Sequence, residues 1–167
     1  LVRVAESKGA YLNRPGAEMV NPLYRMLDKE TFDFWSGMDP APREAPRAEF
    51  YLKATKALHD AGVLMVAGTD AGIFTNIPGS AMTRELELLV EAGLTPYEAL
   101  QTATVNAANV LGFDRTGVIA PGYRANLVLL YGDPLSNVSM VENPAGVMIR
   151  GVWLDEDKLA ALEKGAA

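Results

Sequence analysis

Apolar positions along the middle of the chain change period twice. Phe50, Ala54, Ala57, Leu58 and Ala61 share one stripe of a predicted helix over 47–61, with Gly62 at its C′ position. The unbroken run Val63-Leu64-Met65-Val66-Ala67 follows at once, the composition of a parallel strand buried on both faces. Helical spacing returns over 80–92, where Met82, Leu86, Leu89 and Val90 form the stripe and Gly93 ends it. Thr95-Pro96-Tyr97-Glu98 is a capping box with proline at the first helical position, predicting a helix to about Thr104. A short helix over 106–111 closes at Gly112. Thereafter 118–119, 127–131, 147–149 and 152–154 read as strands between Pro-Gly, Gly-Asp-Pro and Arg-Gly turns. A charged helix over 155–164 ends the pattern, its Asp155-Glu156-Asp157 start suiting the helix dipole.

The first third is less regular. Residues 1–8 read as the end of a helix that continues from a preceding segment, Gly9 breaks it, and 10–13 predicts a short strand. Pro15, Pro22, Pro40, Pro42 and Pro46 punctuate 14–46. A helix is expected within 22–34, with Leu23, Met26 and Leu27 on one face, and 38–46 is expected to be a surface excursion. Trp35 and Trp153 read as packing residues.

Composition narrows the chemistry. A net charge of −6 argues against nucleic acid, and no apolar run approaches the roughly 18 residues of a membrane span. The start lacks the pattern of a signal peptide, and a cytoplasmic location is expected. There is one histidine and no cysteine, whereas a catalytic zinc takes about three protein ligands. The chain alone is therefore expected to hold no stable metal.

Asp70 is the leading candidate. It lies in Gly68-Thr69-Asp70-Ala71-Gly72 at the carboxyl end of the apolar run, where α/β folds place their chemistry. The alternative is a loop aspartate capping the next turn. Thr69 could orient it or simply fill a strand end, and Gly68 and Gly72 allow tight backbone. The loop 73–79 leaves the same end, making Phe74 and Asn76 candidate pocket residues; Tyr11 and Arg14, after the predicted 10–13 strand, are others. His59 falls off the helix stripe and at the amino end of the strand, as a solvated or helix-end imidazole rather than a ligand. A phosphate cradle at 68–72 is disfavoured: the glycine spacing is wrong and a carboxylate would repel the anion.

A strand ending in Gly-Thr-Asp, then helices, then short strands sets an α/β unit ahead of a small β module. The stretches 61–70, Glu85-Leu86-Glu87-Leu88-Leu89-Val90-Glu91-Ala92-Gly93-Leu94-Thr95-Pro96, 98–108 and 117–130, with Asp133-Pro134 behind them, are collinear over about 62–154. In them the chain resembles the amidohydrolase superfamily, in its imidazolonepropionase-like and Xaa-Pro dipeptidase-like branch. The resemblance implies the last part of a (β/α)8 TIM-like barrel, strands seven and eight with their helices, followed by a small β-sandwich segment. Residues 1–112 would be the barrel portion and 113–167 the sandwich portion with its terminal helix. It makes 10–13 strand seven, 63–67 strand eight, and Asp70 the strand-eight aspartate that touches the metal and shuttles a proton.

The same resemblance implies a divalent metal, zinc the expected one, and hydrolysis of a C–N bond in an amide, dipeptide or cyclic amide. The family's His-x-His pair, carboxylated lysine and further histidines belong to strands one, four, five and six, none of which this chain matches. A barrel takes about 250 residues. The expected partners are thus the missing N-terminal barrel part or another copy of the chain, and a small-molecule or dipeptide substrate, with no nucleic acid or membrane. Asn126 replaces the family's usual aspartate, and Thr83 a histidine frequent in this branch. The competing expectation is a catalytically inert folded fragment or assembly module.

Overall fold

A computed structural model of the chain describes residues 7–14, 16–37, 41–72 and 76–166. Its helices are α1 (Pro22–Ser36), α2 (Ala41–Asp60), α3 (Ser80–Ala92), α4 (Pro96–Ala103), α5 (Val105–Leu111) and α6 (Glu156–Ala166). The strands β1 (Leu127–Leu129), β2 (Gly146–Ile149) and β3 (Val152–Asp155) form an antiparallel sheet in that order. The result is a helix-rich α/β chain with one small sheet among the described residues.

Local signals explain the sharpest boundaries. Gly62 at φ 75° ends α2, with Val63 N–H donating to Leu58 O at 3.1 Å and Gly62 N–H to His59 O at 2.9 Å. This Schellman pairing recurs at Gly93 and Gly112. Thr95 and Glu98 form the predicted capping box of α4. Arg150 and Gly151, at φ 52° and 82°, make the β2–β3 turn, and Asn126 Oδ1 accepts from Arg150 N–H at 2.8 Å. Asn126 is thus a structural tie for that turn. In the register Met148↔Trp153 and Gly146↔Asp155, the Trp153 ring lies over Gly146.

Leu86, Leu89, Leu94, Ala99 and Val138 form the core. Met65, Ala67, Met82, Val90 and Val141 pack against it. It lies between α3, α4, the 3-10 turn at Val138–Glu142 and the extended segment 63–69. Gly117 sits close to α5 with φ 89°, and a Cβ there would meet Thr104 O and Val105 Cα at 2.8 Å. Both are backbone atoms that cannot swing aside. Gly117→Ala is expected to destabilise the chain by about 2 kcal/mol, from left-handed strain plus overpacking. A urea midpoint unchanged from the parent would show that the α5 contact does not persist.

Several expectations need correction. Residues 10–13 are a 3-10 turn, not a strand. The Ser7 carbonyl and hydroxyl accept from the N–H groups of Ala10 and Tyr11, the donors a ladder would use. Residues 41–46 belong to α2 rather than to a surface excursion. Pro46 lies inside that helix, where it lacks the N–H that would bond the carbonyl of residue 42. Residues 118–119 form no ladder, and Ile119 is 88% exposed.

The segment 63–67 is extended but lies in no sheet, and only one face of it is buried. Leu64 is 57% exposed, with Val63 and Val66 on the surface beside it. The predicted stripe of α2 also faces outwards, with Phe50 66% exposed, and Leu23, Met26 and Leu27 of α1 are exposed likewise. Over 50–60 the half-buried positions are Leu52, Ala54, Thr55, Lys56 and His59, so Ala54 alone of the predicted stripe is partly covered. In each case an apolar face that periodicity marks as buried has nothing over it among the described residues.

Candidate active site

The Schellman turn at Gly62 launches the extended segment, and Asp70 stands at its far end. Met65 and Ala67 alternate onto the core, and Thr69 continues that face, partly buried. Asp70 itself is exposed, with its backbone at φ 51°. That left-handed conformation is several-fold enriched in Asp and Asn over other non-glycine residues.

The segment's backbone polar groups are met from the helix side. Asn106 Nδ2 donates to Met65 O at 3.0 Å, and Ala67 N–H donates to Thr102 O at 3.1 Å. Glu85, on α3, lies beside Gly68. Burial pushes the Glu85 carboxyl above its ordinary value, and the nearby Gly68 N–H partly offsets that rise. Asn76 Nδ2 donates to Thr69 O at 2.8 Å, and Asn76 O accepts from Gly72 N–H at 2.9 Å.

On this side of the segment a cavity of about 550 Å³ brings together Tyr11, Arg14, Thr69, Asn76, Arg84 and Glu85. Arg14 stacks on Tyr11, its Cζ 4.0 Å from the ring centroid, and its buried Nε and Nη2 meet no hydrogen-bond partner among the described residues. Arg84 is committed, with Nη1 2.6 Å from Glu87 Oε2 and Nη2 3.6 Å from Glu91 Oε2. Of the residues singled out by sequence, Tyr11, Arg14, Thr69 and Asn76 share this cavity, Asp70 stands outside it, and Phe74 lies outside the described residues. Thr83 is buried in a neighbouring pocket with Ser80 and Arg14.

The donor set does not fit a metal ion. Among the described residues no three His, Asp or Glu side chains gather, and Asp70 offers one carboxylate. His59 Nε2 lies 3.4 Å from Glu98 Oε1 and Nδ1 3.5 Å from Asp60 Oδ1, at the end of α2. It is half-buried rather than solvated. Glu98 is held below the usual carboxylate range first by Thr95 N–H and then by the Thr95 hydroxyl, with a smaller part from His59. Sequence reasoning passed over Glu85, Thr102 and Asn106. Glu85 carried a usable signal: it falls between Met82 and Leu86 on the apolar side of α3, an odd place for an unpaired charge.

Comparison with known proteins places this geometry. A family model described as "Amidohydrolase family" matches residues 2–154. An ochratoxinase from Aspergillus niger is 35% identical over 103 residues, covering 60% of this chain and 20% of its own length. An imidazolonepropionase from Streptomyces griseus is 35% identical over 117 residues, 65% of this chain and 28% of its own. The crystal structure of a Xaa-Pro dipeptidase with methionine bound in its active site superposes with a TM-score of 0.58 at 30% identity. That match covers 62% of this chain and 25% of the other. The chain thus spans about a quarter of the length of the relatives it matches.

Proposed function

The chain belongs to the amidohydrolase family, and on that premise we propose that it is the C-terminal part of a metal-dependent hydrolase cleaving a carbon–nitrogen bond. Residues 1–112 complete a (β/α)8 barrel, 63–67 supply its eighth strand, and 113–167 contribute to a composite sandwich. The observation that carries this reading is Asp70, an exposed carboxylate at the end of an extended segment tied by the side-chain amides of Asn106 and Asn76.

Asp70 accepts a proton from the water that attacks the scissile carbonyl carbon and passes it to the nitrogen, which departs as a neutral amine. A positioned carboxylate in this role contributes roughly 10²–10⁴-fold. A divalent cation, zinc the expected one, supplies Lewis acidity in the family. This chain's described side chains do not by themselves assemble a site for it, so the ligands besides Asp70 are assigned to the rest of the barrel. Arg14, with Nε and Nη2 unpaired beside Tyr11, offers the planar fork that suits a substrate carboxylate. A dipeptide or an N-acyl amino acid has such a group. Taken alone, the chain is expected to be inert, for want of a metal site.

The test is hydrolysis by the complete polypeptide that carries this chain, offered Xaa-Pro dipeptides, N-acyl amino acids and cyclic amides. Amine release from at least one class is expected, lost on chelation with phenanthroline and restored by Zn²⁺. Release from none, or activity indifferent to chelation, would overturn the proposal.

A further inference from the structure

The 3-10 turn at 10–13 brings one charged side chain to the cavity on a fixed support. With about three residues per turn, positions i and i+3 line up on one side, which sets Arg14 over Tyr11, its Cζ 4.0 Å from the ring centroid. Ser7 fixes the start of the turn by accepting from Ala10 N–H at 3.0 Å and, through its hydroxyl, from Tyr11 N–H at 3.2 Å. A guanidinium over a ring face is attracted to it, which restrains the group without using any of its donors. Arg14 Nε and Nη2 form one edge of the fork, and both are buried with no hydrogen-bond partner among the described residues. Two parallel N–H groups match the two oxygens of a carboxylate.

Three arginines line the cavity of about 550 Å³. Arg47 is taken by Glu44, Nη1 to Oε1 3.1 Å, and Arg84 by Glu87, Nη1 to Oε2 2.6 Å. Arg14 makes no ion pair among the described residues, although Glu142 shares a smaller adjoining cavity with it. Of the carboxylates in the larger cavity, Glu44 is neutralised by Arg47, and burial favours the uncharged form of Glu85. Thr69 lines the same cavity one residue before Asp70, so a molecule anchored at Arg14 lies beside the segment that presents that carboxylate.

We propose that Arg14 is the specificity-determining residue of this cavity, reading a free carboxylate on the amine side of the scissile bond, with Tyr11 the positioning residue that holds the guanidinium. The substrate is therefore an acid, either a dipeptide or an N-acyl amino acid. A carboxamide-capped peptide, or a cyclic amide that lacks a carboxylate, is excluded because its neutral end leaves the buried fork unpaired. The inference rests on the reading of this cavity as the substrate pocket of a hydrolase, and goes beyond it by selecting among the substrate classes.

The experiment offers the complete enzyme a Xaa-Pro dipeptide, an N-acyl amino acid and the C-terminal carboxamide of each. The parent is expected to cleave the acids with kcat/KM at least about 10²-fold above the carboxamides. Arg14→Gln should lower the acids by about that factor and leave the carboxamides within about threefold, a loss tied to the substrate's carboxylate that a merely structural role would not produce. Arg14→Lys keeps the charge without the fork and is expected to fall about tenfold on the acids. Tyr11→Phe keeps the ring and the preference, whereas Tyr11→Leu should narrow the preference by about tenfold. The inference fails by itself if the parent cleaves acids and carboxamides within about threefold of each other, if the preference survives Arg14→Gln, or if that variant slows both alike. A complete enzyme that cleaves none of these substrates removes the hydrolase reading, and the inference with it.

Discussion

Asp70→Asn in the complete enzyme is expected to lower kcat by at least about 10²-fold while leaving the fold as it is. The two halves of that expectation rest on different features. Asparagine is nearly isosteric with aspartate and is among the non-glycine residues most at home at positive φ, so the backbone at φ 51° tolerates it. The side chain is exposed, and an exposed substitution of this kind moves stability by less than about 0.5 kcal/mol. What changes is the ability to take a proton from water and return it to a leaving nitrogen. A melting temperature equal to the parent's with kcat down a hundredfold on a Xaa-Pro dipeptide is the expected result. Turnover within a few-fold of the parent would show that the proton goes elsewhere.

The chain by itself is expected to sediment as a dimer or larger species at micromolar concentration. Its accessible surface is 10844 Å², where a compact monomer of 17.9 kDa has about 8,000 Å². The excess includes the outer faces of α1 and α2, the free side of 63–66, Val128, Leu129 and Val152 on the small sheet, and Tyr131 just past it. Contiguous apolar surface beyond a few hundred Å² marks an association surface. The open edge of an extended segment adds unpaired backbone groups that favour strand-to-strand contact. The occupant proposed here is the rest of the barrel, or a second copy where that is missing. Sedimentation velocity giving a single compact monomer with a cooperative melt would overturn the expectation.

Elements whose boundaries are set by neighbours in sequence were legible. The stripe of α3, the Thr95 capping box, the glycines ending α2, α3 and α5 and the Arg150-Gly151 turn are local events, and periodicity and turn chemistry suffice to find them. What could not be read was which apolar faces would be covered. The stripe of Phe50, Ala54, Ala57, Leu58 and Ala61 has the right spacing for burial, but burial depends on what lies opposite, and no pattern within α2 contains that information. The strand expected at 10–13 failed for a second reason: Ser7 captured the local backbone donors before any ladder could form. At the candidate site, Asp70 was legible because it follows an apolar run directly. Glu85 was not recognised, because it meets Thr69 in the cavity across sixteen positions of chain and only once α3 is folded against the segment.

The left-handed backbone of Asp70 has a consequence for any effort to improve the protein. Glycine occupies that conformation without the penalty a side chain brings, and relief of such strain typically yields up to about 1 kcal/mol. A library screened for heat resistance alone would therefore drift toward Asp70→Gly, enriching hardier molecules that have lost the carboxylate. Durability and turnover pull in opposite directions at this one position, so a selection must score both from its first round.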